Sequence, residues 1–304
     1  MLRPVKRPVR HVFPLIAALA ALAPRTAVGD DADARRRLYE EAPVAWAKMA
    51  AYADDLTVEG WRRFSPVGPD PDKRFPDRRS LIRYSRAGES SRYGVINDPG
   101  GYGEAVVVTP DHCFALRRKS ESSPYSTEAF WSGRTGTPPG LDARADFVGM
   151  VRPFARDVLG LPLGIEGDES LPRMFKDPEY RVTSVAEVAP GGRKLVKIEY
   201  EYNPTSPEES RFRGWLLLDP ARLWTLRSLE RVSESRRLEI SIKYGDDDEE
   251  GFPSIRRVHT RSSPLGADAS EGYVHDFEAT VWRRRPSPEE FQLVAFGVAA
   301  GDAR

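Results

Sequence analysis

Cysteine is almost missing. Cys113 is the only one in 304 residues, so no internal disulfide is available and the fold must be held by its core. It lies in an apolar stretch (HCFAL) and reads as a buried thiol, because a nucleophile would need a base partner that the sequence does not place beside it. Histidine is scarce too, with four in all and three after residue 29. No apolar run reaches the roughly 18–20 residues that a membrane-spanning helix needs. The G-x-S-x-G, H-E-x-x-H and H-x-x-E-H patterns are absent, which removes motif-borne serine hydrolase and zinc protease chemistry. Gly100-Gly101-Tyr102-Gly103 lacks the lysine and following helix of a phosphate cradle and reads as a turn. Charge of one sign is also lacking: 46 basic residues face 46 acidic ones, so there is no global pull toward nucleic acid. With 40% hydrophobic and 10% aromatic residues, the chain is too apolar to be disordered.

Residues 1–29 read as a signal peptide. Arg3, Lys6, Arg7 and Arg10 form a positive start, Phe13 to Ala23 a short apolar run, and Ala27-Val28-Gly29 a small-residue cleavage site. The alternatives are an uncleaved anchor or a buried helix. Cleavage would remove five basic side chains and no acidic one, leaving 41 basic against 46 acidic. No cysteine stands near the site, so the chain is not expected to be itself a lipoprotein of the lipobox type. The expected location is periplasmic or extracellular, with no transmembrane span in the mature chain.

Residues 36–56 carry Leu38, Ala42, Trp46, Met49, Ala53 and Leu56 at helical spacing, with Pro43 expected to kink the segment or start its second half. The period then changes to two. Strands are expected at 56–64, 79–86, 91–97, 104–109 and 113–118, and again at 179–187, 193–202, 211–218, 223–231, 236–244, 253–261 and 272–283. Residues 66–78 and 120–140 read as long loops, and 142–176 as a helical insertion. Val196, Ile198, Tyr200 and Tyr202 alternate with Lys197, Glu199 and Glu201. Leu238, Ile240, Ile242 and Tyr244 alternate with Glu239, Ser241 and Lys243, and 272–283 repeats the pattern. Each strand therefore has one greasy and one ionic face, as in an antiparallel sheet wetted on one side. A dozen strands with little helix predict an α+β fold, mainly antiparallel β: a large curved half-barrel sheet capped by a few helices. Its apolar face either closes on a filled core or holds an apolar guest; periodicity leaves both open.

The stretch from Lys194 to Arg285 contains KIEYEYNP, FRGWLLLDPARLWTLRSLE, RRLEISIKYG, FPSIRRVHTRS and GYVHDFEATVWRRR. With the signal, first helix, strand meander and helical insertion, it resembles the outer-membrane lipoprotein-sorting and lipoprotein-carrier superfamily over roughly residues 36–285. The resemblance implies one unclosed half-barrel domain over 30–290, after a signal peptide over 1–29 and before a tail over 291–304. It implies an exported, non-enzymatic protein that takes an acyl chain or lipidated partner on the concave face, without cofactor or metal. The other expectation is an envelope interaction or sensor module on the same fold, binding a protein partner without lipid. An exported hydrolase with a site built from distant residues is a third. Strand parity selects Val196, Ile198, Tyr200, Leu238, Ile240, Ile242, Tyr244, Tyr273, Phe277 and Val281 as the ligand lining.

Other clusters carry less. His259 and His275 flank a loop centred near residue 267, and a hairpin of that register places them opposite each other. Neither has a third ligand at metal spacing. Asp246 to Glu250 reads as a solvated acidic turn, lacking the ligand alternation of a calcium loop. The basic clusters Arg35–Arg37, Arg236-Arg237 and Arg283–Arg285 read as solvated element ends, the last a candidate for anionic head groups. The six tryptophans read as core or rim.

Overall fold

A computed structural model describes residues 31–67, 78–132, 170–206, 209–248, 250–265 and 272–298. Helix α1 (Ala32–Ala53) opens it. Strands β1 (Asp55–Val67), β2 (Arg78–Ala87), β3 (Ser90–Asp98), β4 (Gly103–Val108), β5 (His112–Arg118) and β6 (Ser126–Ser132) follow. After the short helix α2 (Leu171–Met174) come β7 (Tyr180–Val188), β8 (Leu195–Tyr202), β9 (Phe212–Asp219), β10 (Thr225–Ser233), β11 (Arg236–Asp247), β12 (Pro253–Pro264) and β13 (Gly272–Arg284). All pair in one unclosed, curved antiparallel sheet of 13 strands, in the order β6-β5-β4-β3-β2-β1-β13-β12-β11-β10-β9-β8-β7. Two meanders are thus joined where the first strand pairs with the last, and β6 and β7 form the edges. β6 lies where the sequence reading has only a loop. Of the expected helical insertion over 142–176, residues 142–169, like the signal peptide, lie outside the described residues.

The concave face is greasy by alternation. Ile198, Leu216, Leu229 and Ile240 stand side by side on β8, β9, β10 and β11. α1 covers this face at one end. The Asp31 carboxylate caps its start by accepting from the Asp33 and Ala34 amides, both at 3.0 Å. Leu38, Ala42, Ala45, Trp46, Met49 and Tyr52 form its buried stripe. Pro43 lies on the exposed side of one continuous helix, where the lost i→i−4 bond is tolerated.

The helix is as long as the half-sheet is wide. Its 22 residues rise about 33 Å, and the seven gaps from β7 to β1 span about 34 Å. Its start meets β7 through Asp31 N–H to the Val185 carbonyl (2.8 Å). Its middle donates Trp46 Nε1–H to the Trp224 carbonyl (3.0 Å). At its end, the Tyr52 hydroxyl accepts from Trp282 Nε1–H at 3.1 Å, and the ring stacks on Phe252 at 4.2 Å. The Trp46 and Tyr52 contacts lie at the sheet end carrying the turns 220–224 and 248–252, here the upper end, whereas Asp31 meets β7 in the row of Ile198 and Leu216.

A second layer covers the convex face. Phe291 and Val298 bury Ala105, Val107, Phe114 and Leu116 of β4 and β5. Glu290 supports this strap: its carboxylate accepts from Ser85 (2.9 Å) and pairs with Arg283, and its carbonyl accepts from Arg92 (3.2 Å). The Ser85 hydroxyl in turn accepts from Thr57 at 3.0 Å. Burial lowers the Arg92 pKa to about 10, and its guanidinium sits 4.1 Å from the Phe296 ring centre.

Candidate functional site

The lower end of the concave face has different chemistry. Following the core-facing parity of β8 to β11 downward, aliphatic residues give way to Tyr202, Phe212, Arg231 and Arg236. With Glu209, Ser210, Ser233 and Leu238 they line a cleft of about 260 Å³.

Its wall is aromatic. Phe212 stacks on Tyr202 at 4.7 Å, and Tyr180 approaches Tyr202 at 4.6 Å. Such pairs rigidify a surface beyond their area burial. Gly214 makes room behind them, since a Cβ there would fall 2.9 Å from the Tyr200 hydroxyl. The Arg231 guanidinium lies 4.6 Å from the Phe212 ring centre.

Two turns set the rim. Residues 203–206 are held by Glu179, which accepts from the Thr205 amide (2.8 Å) and hydroxyl (2.5 Å). Thr205 accordingly holds the Glu179 carboxyl below the usual range. The Tyr202 hydroxyl donates to Glu209 and lies 3.1 Å from Glu179; its pKa is raised, first by the Glu209 bond. The second turn is clasped by Ser233, whose hydroxyl accepts from the Arg236 amide at 3.1 Å. The Arg236 side chain is exposed, and among the described residues no carboxylate pairs with it.

Of the ten residues chosen by parity, Val196, Ile198, Tyr200, Leu238, Ile240, Ile242 and Phe277 are buried in the main core. Tyr244 packs against that core and donates its hydroxyl to the Leu226 carbonyl at 2.7 Å. Tyr273 stacks on Phe64 at 5.3 Å. Val281 pairs with Glu59 beyond a bulge at Glu59/Gly60, which skips Thr280 and puts Trp282 on the core parity instead. Leu238 alone of the ten also lines the cleft. The same alternation runs on past Leu229 and Leu238 to Arg231 and Arg236, which are not apolar. An arginine on apolar parity at a strand end was the signal that could have found Arg231 and Arg236.

The histidine expectation needs correction. His259 pairs with Asp276 and Thr260 with His275, so the register is one residue away from the assumed one. That slip puts the two imidazoles on opposite faces. On the convex face, His259 Nδ1 is 2.9 Å from the Asp276 carboxylate, which also accepts from Arg257 at 3.1 Å. On the concave side, His275 Nε2 is buried with no hydrogen-bond partner among the described residues. Burial, helped by Arg62, lowers its pKa to about 4.

The acidic run is structural where it is described. Asp248 accepts from the Glu250 and Phe252 amides at 3.0 and 2.9 Å, and Asp247 pairs with Arg222 at 3.4 Å. Most basic clusters are also engaged: Arg37 with Glu41 and Glu187, Arg283 with Glu290, Arg284 with Asp55 and Glu250. Trp46 and Trp224 are core; the Trp61 ring lies under Arg79 at 4.0 Å. No helix among the described residues is long and apolar enough to cross a membrane.

No family model matches the chain, and no curated protein does. Among solved structures, the crystal structure of MucB in complex with MucA(peri) is similar at a TM-score of 0.20 and 10% identity, covering 81% of this chain and 100% of that one. A likeness this low transfers no site residue.

Proposed function

We propose that this is an exported, non-enzymatic binding module that seats a segment of a protein partner in the lower concave cleft. The chemistry of the cleft carries the choice: arginine, serine and glutamate side chains stand beside its aromatic wall and Leu238, and an acyl chain seated there would leave those polar groups without partners. The aliphatic rows that would extend the cleft are occupied, with Ile198 and Leu216 at 0% exposure and Leu229 at 1%. A rim that mixes guanidinium, hydroxyl and carboxylate groups also suits a polypeptide, whose backbone needs such partners.

Peptides with one phenylalanine, titrated into the isotope-labelled mature protein, should shift the resonances of Tyr202, Phe212 and Leu238. Native mass spectrometry should show protein free of lipid. Stoichiometric co-purified lipid, or uptake of a fluorescent sixteen-carbon fatty acid displaced by palmitate, would instead establish the acyl-chain carrier implied by the resemblance. Export is checked separately: periplasmic or secreted protein should start at Asp30. An ester and glycoside substrate screen should be silent.

A further inference from the structure

Resting on the reading of the cleft as a protein-binding site, we infer that it selects a segment in which an aromatic or large aliphatic residue stands beside a carboxylate. The cleft sets a greasy slot beside a cation that no described carboxylate pairs with. Phe212, Tyr202 and Leu238 supply the slot. Arg231 lies against the Phe212 ring, so one face of its guanidinium adds to the wall. Arg236 supplies the cation. Its backbone is clasped on both sides by Ser233, whose hydroxyl accepts from its amide and donates to its carbonyl (3.2 Å). The side chain therefore projects from a fixed base, and no described carboxylate neutralises it.

Glu209, the acid among the described lining residues, is held on the Tyr202 hydroxyl rather than paired with Arg236. A lysine or arginine next to the guest side chain would meet Arg236 and be repelled. A neutral neighbour would leave Arg236 as it is. An aspartate or glutamate would give it a planar, two-oxygen partner, the geometry that guanidinium favours. Neither half suffices alone: an exposed ion pair is weak and screened by salt, and the slot by itself accepts any large apolar side chain. Requiring both in adjacent positions is what makes the cleft selective.

The test uses four fluorescent hexapeptides that differ in two central residues: Asp-Phe, Asn-Phe, Lys-Phe and Asp-Ala. They are titrated into the full mature protein at low and at physiological salt. Asp-Phe should bind about threefold to fivefold more tightly than Asn-Phe at low salt. Lys-Phe should be weaker still, and Asp-Ala weaker by about tenfold or more. Salt should narrow the first gap and leave the last. Arg236→Gln should erase the preference for Asp-Phe over Asn-Phe, and Arg236→Glu should reverse it in favour of Lys-Phe. Arg236 is exposed, so both variants fold. If Asp-Phe, Asn-Phe and Lys-Phe bind alike while shifting Phe212 and Tyr202, the charge selectivity is wrong and the cleft reading stands. If the preference for Asp-Phe survives Arg236→Glu, the assignment of Arg236 is overturned. If no peptide moves these residues, the cleft reading fails and the selectivity with it.

Discussion

His275 predicts a specific loss of stability in mild acid. It stands on β13 between Phe64 of β1 and Thr260 of β12, on the concave side. Its Nε2 has no partner among the described residues, and its pKa falls from 6.5 to about 4. Burial is the main cause; the Arg62 charge adds to it and Asp276 opposes it. A lowered histidine pKa means that the unfolded chain binds the proton more readily than the native one. Stability is therefore full above pH 6.5, falls as the pH drops toward 4, and levels off below. Integrating between these values gives a loss of about 2 kcal/mol at pH 5.0 and about 3 kcal/mol when His275 is fully protonated. That is a large share of the roughly 5–15 kcal/mol holding a typical domain. Asp276 and Glu290 are held below their ordinary 3.8 and 4.5, so their losses begin at lower pH. Urea unfolding at pH 7.5 and 5.0 measures the difference, and His275→Asn isolates it, since asparagine does not titrate. The variant should lose about 2 kcal/mol less than the wild type between these pH values. Equal losses in both proteins would refute the reasoning, as would a His275 proton resonance titrating near 6.5.

Three further outcomes test the packing. Gly60 opposes Ala279, and a Cβ there would fall 2.7 Å from the Phe277 ring and still closer to the Glu278 carbonyl, so Gly60→Ala should cost about 2–3 kcal/mol in urea unfolding; Phe277→Leu in the same chain should restore part of it. Ser262 is 0% exposed and its hydroxyl has no partner among the described residues, so Ser262→Ala should be neutral or stabilising by up to about 1 kcal/mol, and a clear loss would reveal a bond to that hydroxyl. Glu290→Ala leaves the Ser85 hydroxyl proton without its acceptor, while half-exposed Arg283 turns to water, so it should cost about 1–3 kcal/mol; hydrogen exchange should then speed up in β4 and β5, beneath the strap, more than in β8 and β9.

What the sequence makes legible follows from the range of each interaction. Alternation in a strand is set by one face meeting oil and the other water, so 193–202 and 236–244 announce themselves. β6 does not, because at the sheet edge Glu128, Ala129 and Phe130 are all exposed and no period of two survives. Parity can be trusted only up to the first bulge. At Glu59/Gly60 one extra residue on β13 reverses the faces, and Val281 and Trp282 exchange roles. The same sensitivity separates His259 from His275, where a one-residue error in an inferred hairpin changes the face of each side chain. The strap was harder still: Phe291 and Phe296 are apolar residues in a short tail, and nothing local says that Arg92 and Phe114, far back in the chain, await them. Arg231 and Arg236 differ from all of these. Their positions were fixed by visible alternation, and their charge contradicts the face to which it assigns them. A folded chain tolerates such a conflict where the face runs out of cover, and a strand end beyond the reach of α1 is such a place. At β10 and β11 the charges that break an otherwise apolar parity thus stand where the sheet face ends, beside the cleft.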